Sequence, residues 1–90
     1  MYRLRTSVRA NRDLRALAER AQRHDVGRLY IAIESLPNEP RPYGVQKIRG
    51  KDNAYRIRVG NFRVIYEIYD KENAVLISRV LRRTETTYRA

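Results

Sequence analysis

The stretch that decides the fold is YRIRVGNFRVIYEI, residues 55–68, in which apolar and polar side chains alternate on both sides of Gly60-Asn61. A two-residue Gly-Asn connection between alternating runs predicts a tight β-hairpin, because glycine readily adopts the positive φ that such turns require. The expected register pairs three apolar residues of each strand on one face: Val59 with Phe62, Ile57 with Val64, and Tyr55 with Tyr66. That face can close a hydrophobic core.

The opposite face of the predicted hairpin carries mostly charged side chains. Its members are Arg56, Arg58, Arg63, Ile65 and Glu67. In this register Arg58 and Arg63 lie directly across from one another, and like charges in such a position are destabilising. A polyanion bound between the two guanidinium groups would turn the repulsion into attraction, since arginine forks onto phosphate oxygens. The alternative is that Arg58 and Arg63 are ordinary surface arginines on a solvated sheet face.

The chain is strongly basic for its 90 residues. Its net charge is +10, and 17 of its 20 basic residues are arginine. A charge of this size predicts a nucleic acid or an acidic protein as partner. A genome rich in G and C would also enrich arginine, so the placement of the arginines has to decide between the two interpretations.

The sequence lacks the residues and motifs of several enzyme classes: zinc enzymes, Walker-loop nucleotide hydrolases, GxSxG serine hydrolases and two-carboxylate glycosidases. There is no cysteine, and the single His24 cannot build a zinc site alone, so we expect no metal and no cofactor. The sequence contains no Walker loop and no GxSxG motif, and its carboxylates are scattered. No apolar run approaches the roughly 20 residues that span a bilayer, and the first ten residues do not form a secretory signal. We therefore expect a cytoplasmic protein without a membrane partner.

The N-terminal half predicts one strand and two helices. Residues 2–6 alternate as a strand does, and Ser7 can cap the helix that follows. Two apolar stripes at helical spacing predict a helical hairpin packed on one sheet face: Leu14, Leu17, Ala18 and Ala21, then Val26, Leu29, Tyr30, Ile33 and Leu36. We expect His24-Asp25 to separate the helices, Asp25 to cap the second, and Pro37 to end it.

The C-terminal half predicts four strands. A loop at residues 37–44 holds all three prolines, and strands follow at 45–48, at both arms of the hairpin, and at 74–80. The order β-α-α-β-β-β-β predicts a single α+β domain over residues 1–90, with two helices on one face of a small antiparallel sheet whose other face is open. If Tyr69 pairs with Ala74, then Ser78, Val80 and Arg82 share the face of Arg63.

The segments VQKIRG, YRIRVGNFRVIYEIYD and VLISRVLRRTETTYRA together resemble the RelE/ParE superfamily of bacterial type II toxins, and the RelE branch most of all. The resemblance covers nearly the whole chain. It implies a RelE-like fold and a ribosome-dependent, metal-independent endoribonuclease that cuts mRNA in the ribosomal A site and so inhibits translation. It also implies an acidic cognate antitoxin as partner, besides ribosome and mRNA, with the toxin occurring as a monomer or in a toxin–antitoxin hetero-oligomer.

The resemblance also implies roles for individual residues. Arg63 corresponds to the arginine that stabilises the phosphate, Arg82 to the one that assists the leaving group, and Tyr88 to the tyrosine that stacks on the base. Arg58 belongs to a basic pair on the third strand that orients the backbone and tunes proton transfer. The remaining positions are implied to bind RNA: Lys47, Arg49, Arg56 and Arg83.

Two features depart from the pattern of many RelE relatives and keep an alternative open: the residue at position 81, and the spacing from Arg82-Arg83 to Tyr88, which is longer than in those relatives. Leu81 stands where many relatives carry histidine, so no imidazole is available there as a general base. A ParE-type toxin that inhibits DNA gyrase without cutting RNA is therefore the alternative, and an inactive relative that only binds antitoxin is a third possibility. Tyr55 and Tyr66 are assigned to the core, whereas Tyr43 and Tyr69 are left without a role.

Overall fold

The computed structural model of the protein describes residues 1–82. In chain order its elements are β1 (Arg3–Thr6), α1 (Val8–Arg20), α2 (Arg23–Ser35), β2 (Gln46–Lys47), β3 (Ala54–Val59), β4 (Phe62–Tyr69) and β5 (Ala74–Arg82). This confirms the predicted order and the α+β class, with two helices packed against one five-stranded sheet. Within the described part of the chain, no helix is both long enough and apolar enough to cross a membrane.

The sheet has the order β1-β5-β4-β3-β2. Strands β2 to β5 form the expected antiparallel meander, but β1 lies parallel to β5, with Arg3 beside Ala74 and Thr6 beside Ile77. The sheet is therefore mixed rather than purely antiparallel. The backbone N–H of Ser7 extends this pairing by donating to the carbonyl of Ile77 at 2.9 Å.

The central hairpin has the predicted register. Val59 pairs with Phe62, and the pairing continues without a shift to Ala54 and Glu67. The φ of Gly60 is +57°, whereas the φ of Asn61 is not positive. A positive φ at the first central residue alone is the pattern of a type II′ turn. Such a turn matches the twist of the flanking strands, so the turn and the alternation specify the same pairing.

The core lies between the helices and one sheet face. Its buried side chains are Ala10, Leu14, Leu17, Leu29, Ile33 and Leu36 from the helical side, and Ile57, Phe62, Val64, Tyr66, Ile68, Val75, Ile77 and Val80 from the sheet. Tyr66 is completely buried and Tyr55 packs against this cluster, so their assignment to the core is confirmed. Ala18 and Tyr30, however, are exposed.

The helix boundaries differ from the prediction at one place. Ser7 caps α1 as expected, accepting a hydrogen bond from the backbone N–H of Ala10 at 3.0 Å. The first helix ends at Arg20, because Ala21 and Gln22 adopt extended backbone conformations, and α2 already begins at Arg23. The prediction that Asp25 caps α2 was therefore wrong: Asp25 lies inside the first helical turn.

A β-bulge corrects the predicted face of Arg82. Tyr69 does pair with Ala74, but the register shifts between Ile65 and Tyr66, which leaves Ser78 as an extra residue in β5. Side chains alternate between the two faces with a period of two, so one extra residue places every later side chain of β5 on the face opposite to the predicted one. Arg82 therefore lies opposite Phe62, and the prediction that it shares the sheet face of Arg63 was wrong, as it was for Val80.

The second sheet face is open only in part. Ile65 packs there with Ile48 and Ala54 in a small separate apolar cluster. Leu81, which pairs with Arg63 in the neighbouring strand, is only 2% exposed. The expectation of a wholly uncovered face was therefore wrong. The open part is the side of the hairpin that carries Arg56, Arg58 and Arg63, which we call the basic strip.

Asp13 ties α1 to the edge of β5 beyond the end of β1. Its carboxylate accepts hydrogen bonds from Nε of Arg79 at 2.8 Å and from the backbone N–H of Val80 at 2.9 Å. Both side chains of the ion pair are largely shielded from water. One carboxylate therefore satisfies a strand-edge donor and a guanidinium group at once.

Replacing Asp13 by alanine should lower the free energy of unfolding by about 2 kcal/mol, because the Val80 N–H loses its acceptor and Arg79 loses its ion pair with this carboxylate. Urea denaturation followed by circular dichroism measures this. The exposed Glu19, on the same helix, is the matched control, and Glu19→Ala should change stability by less than about 0.5 kcal/mol. Equal losses in the two variants would contradict the proposed strand-edge contact.

Candidate nucleic-acid interface

The basic strip is built around Arg58 and Arg63. They are directly paired across β3 and β4, as the register predicted, which places their Cα atoms about 5 Å apart. Arg58 is exposed and Arg63 is half-buried, and the Nε atom of Arg63 is buried without a hydrogen-bond partner among residues 1–82. Two arginines therefore occupy directly opposite positions, and neither forms an ion pair with a carboxylate among residues 1–82.

A cavity of about 720 Å³ opens between the α1–α2 turn and the tip of the hairpin. Its polar lining residues are Arg20, Gln22, Asp25, Asn61, Arg63 and Arg82. Arg63 and Arg82 thus line the same cavity even though the bulge places them on different faces of the sheet. Guanidinium and amide groups are hydrogen-bond donors suited to phosphate oxygens, and Asp25 adds one carboxylate that can accept a proton.

Four of these lining residues were not identified from the sequence: Arg20, Gln22, Asp25 and Asn61. The sequence did predict the two turns at which these residues lie, namely the break between the helices and the turn at Gly60-Asn61. Their meeting at one cavity depends on how the helical hairpin docks on the sheet, which is a tertiary property. The cavity could therefore not be inferred from either turn alone.

The other predicted RNA-binding residues lie away from this cavity. Arg56 hydrogen-bonds to the side-chain carbonyl of Gln46, its neighbour on β2. Lys47 and Arg49 are exposed and line a separate shallow cavity at the connection between β2 and β3. Arg83 and Tyr88, which the resemblance places in the tail, lie outside the described residues.

The proline-containing loop at residues 37–44 is held against the sheet by polar contacts. Arg41 forms an ion pair with Asp70 at 2.9 Å and lies over the ring of Tyr55, 5.3 Å from its centroid. Tyr2 donates to the same carboxylate at 2.5 Å. The buried Tyr66 hydroxyl donates to the carbonyl of Pro40 at 2.6 Å. The loop is therefore fixed at two consecutive residues.

These contacts perturb the ionisation of the groups that make them. The hydrogen bond from Arg41, and after it the one from Tyr2, holds the pKa of the Asp70 carboxyl below its usual value. Burial raises the pKa of the Tyr66 phenol, with a smaller contribution from Tyr55. Asp70 therefore favours the folded state in its ionised form.

Known proteins with similar sequences and structures agree on the class of this molecule. The family described as the ParE toxin of type II toxin–antitoxin systems matches residues 4–87. A protein of Methanocaldococcus jannaschii that carries the name toxin RelE1 is 33% identical over 54 residues, which are 57% of this chain. The match spans 60% of the length of that curated relative.

Solved structures extend the similarity to the fold. The archaeal RelE–RelB complex from Pyrococcus horikoshii superposes with a TM-score of 0.77 at 26% identity, covering 94% of this chain and 98% of that one. RelBE2 from Mycobacterium tuberculosis gives 0.74 at 26% identity, with 91% and 98% covered. The isolated Escherichia coli RelE toxin gives 0.76 at 20% identity, with 97% and 89% covered, and shows the shared fold alone.

The fold and these matches define a toxin of a type II toxin–antitoxin system, similar to RelE. The chain belongs to the ParE toxin family, within the RelE/ParE superfamily that its sequence resembles.

Replacing Asp70 by asparagine should lower the melting temperature at neutral pH, and the difference from the wild type should disappear in acid. The folded-state pKa of Asp70 is below the ordinary 3.8, so its stabilisation is complete above about pH 5 and is lost as the pH falls through the lowered value. Melting curves between pH 2 and 7 measure this, with Glu72→Gln in the same turn as control. A difference that did not depend on pH would contradict it.

Replacing Arg63 by methionine should raise the free energy of unfolding by about 1 kcal/mol, because it removes a cross-strand repulsion and a buried unsatisfied Nε. Guanidinium chloride would screen the repulsion, so urea is the denaturant to use. Arg49→Met, at an exposed position, should stay within about 0.5 kcal/mol of the wild type. A double-mutant cycle with Arg58→Met isolates the repulsion, and additive effects would show that the two charges do not interact.

Proposed function

We propose that this toxin is a ribosome-dependent endoribonuclease that cuts mRNA in the A site and so stops translation. The observation that supports this most is the concentration of guanidinium groups on three adjacent strands. Arg58 on β3 lies opposite Arg63 on β4, and Arg63 shares a cavity with Arg82 on β5. This arrangement costs stability in the free protein and gains its compensation from a bound phosphodiester.

The reaction we assign is phosphoryl transfer within the RNA chain. The ribose 2′-oxygen attacks its own 3′-phosphorus, and the bond from phosphorus to the next 5′-oxygen breaks. The 2′-hydroxyl loses a proton and the departing 5′-oxygen gains one, which leaves a 2′,3′-cyclic phosphate and a 5′-hydroxyl end. Catalysis then depends on in-line positioning and on donors placed where charge develops on oxygen.

The residues divide these tasks according to their chemistry. Arg63 stabilises the phosphate oxygens as their charge grows, and Arg82 assists the departing 5′-oxygen. Arg58 and Arg56 orient the backbone of the RNA. Arginine keeps its proton at neutral pH, so these side chains act on charge, while Tyr88 stacks on the base beside the cleaved bond.

The remaining basic residues bind the RNA next to the cleaved bond. Lys47 and Arg49 form an exposed basic edge at the connection between β2 and β3, and Arg83 follows Arg82 in sequence. Phosphate contacts of this kind position a nucleic acid without reading its sequence. They suit a substrate held by ribosomal RNA as well as by mRNA.

The same charge predicts the antitoxin. The similar RelE chains of P. horikoshii and M. tuberculosis are described in complex with a RelB protein or as a RelBE2 toxin–antitoxin complex. We propose that an acidic antitoxin segment covers the basic strip of this toxin and keeps it inactive. Affinity for such a segment falls as salt is added, because charges at a surface are screened.

The alternative function is inhibition of DNA gyrase without RNA cleavage. Two observations favour it: the matching family is described by its ParE toxins, and Leu81 replaces the histidine of many RelE relatives. In that case a cluster of Arg63 and Arg82 around one phosphodiester is not required. The two functions therefore differ in what the loss of Arg63 does.

Replacing Arg63 by alanine should reduce A-site cleavage by about 10²- to 10³-fold, because a preorganised donor to the developing charge is lost. Primer extension on a defined mRNA with purified ribosomes measures this. Arg12→Ala, exposed on α1, is the matched control and should cleave as the wild type does. Gyrase-dependent DNA damage with intact mRNA would instead establish the ParE-type function.

A further inference from the structure

Tyr43 is an aromatic residue with no structural task among residues 1–82. It is the most exposed of the large hydrophobic residues there, with a relative accessibility of 107%. It belongs to neither apolar cluster, and within that range it takes part in none of the hydrogen bonds or ring contacts. A fully exposed tyrosine contributes nothing to the core, and its ring is available for contact with a ligand.

The backbone around Tyr43 is fixed, although its ring is free. Pro40 and Arg41, three and two residues before it, are anchored to Tyr66 and Asp70 respectively. On its other side, the backbone N–H of Val45 donates to the carbonyl of Pro42 at 3.0 Å, which closes a tight turn over Tyr43. A ring presented from a rigid turn loses little conformational entropy on binding, which favours its use as a contact.

The surroundings of Tyr43 are basic. It lines a cavity of about 300 Å³ together with Gln46, Arg56 and Arg58. Arg58 is also the cross-strand neighbour of Arg63, which lines the larger cavity at the hairpin tip. Adjacent strands are about 4.8 Å apart, so the backbones of β4, β3 and the edge strand β2 span about 10 Å, and Arg63 on β4 with Arg58 and Arg56 on β3 lie within this span.

We propose that Tyr43 is a stacking platform for a base of single-stranded RNA whose backbone follows Arg63, Arg58 and Arg56 to the edge of the sheet. The combination of a basic groove with an exposed aromatic ring is how proteins bind single strands without sequence preference. This inference rests on the proposed function, since it extends the same RNA beyond the cleaved phosphodiester. It assigns to Tyr43 and the smaller cavity a nucleotide next to the one that is cut.

The test measures the affinity for a labelled single-stranded oligoribonucleotide with 2′-O-methyl riboses, which lacks the attacking hydroxyl and stays intact. Tyr43→Ala should weaken binding at least about 5-fold, whereas Tyr43→Phe and Tyr43→Trp, which keep a stacking surface, should bind as the wild type does. The exposed Tyr30 on α2 provides the matched control, and Tyr30→Ala should not change the affinity. Thermal melting checks that all variants are folded.

The salt dependence of binding separates stacking from charge. Arg58→Ala should make the slope of log K against log salt shallower by about 0.7, because one phosphate contact is lost, whereas Tyr43→Ala should leave the slope unchanged. An unchanged affinity in Tyr43→Ala, or an equal loss in Tyr43→Phe, would overturn the proposal. If Arg63→Ala still abolished A-site cleavage in that case, the proposed nuclease function would stand without it.

Discussion

The direct opposition of Arg58 and Arg63 is the constraint on which the rest of the structure depends. It follows from a two-residue turn at Gly60-Asn61, because that turn fixes which residues of β3 and β4 face one another. A slip of one strand by one residue would turn its side chains over, so that either Arg58 would enter the core and Val59 face water, or Arg63 would enter the core and Phe62 face water. The hydrophobic effect on one face therefore enforces the charge repulsion on the other. Burial of several apolar side chains outweighs one cross-strand repulsion, so the fold tolerates the cost.

The helical layer adds to this arrangement at two places. It covers the apolar face of the hairpin and so leaves the basic strip on the far side. Its turn also contributes Arg20 and Asp25 to the cavity at the hairpin tip. The contact between the helical hairpin and the sheet thus determines both the packing of the core and the geometry of the cavity. A change that tilts the helical hairpin would alter the shape of the cavity as well as the packing of the core.

The local parts of the fold were predictable from the sequence, whereas the parts that depend on distant contacts were not. The hairpin register follows from the alternation of apolar and polar residues and from Gly60, and both features lie within residues 55–68. The bulge at Ser78 cannot be recognised in this way, because residues 74–77, which precede it, are all apolar and show no alternation that would identify an extra residue. For this reason the face of Arg82 was predicted wrongly, while that of Arg63 was predicted correctly. The parallel placement of β1 and the position of Asp25 likewise depend on tertiary packing.

The pairing of β1 with β5 has a consequence for the order in which the sheet can form. Residues 3–6 pair with residues 74–77, so the two strands are separated by the helical hairpin and the three other strands. Strand β1 therefore has no partner until β5 has been synthesised, and contacts so distant in sequence form slowly. Arg82 is the last residue of β5, so the strand that pairs with β1 also supplies this arginine to the larger cavity. A growing chain of this toxin thus lacks both the complete sheet and Arg82 until β5 has left the ribosome.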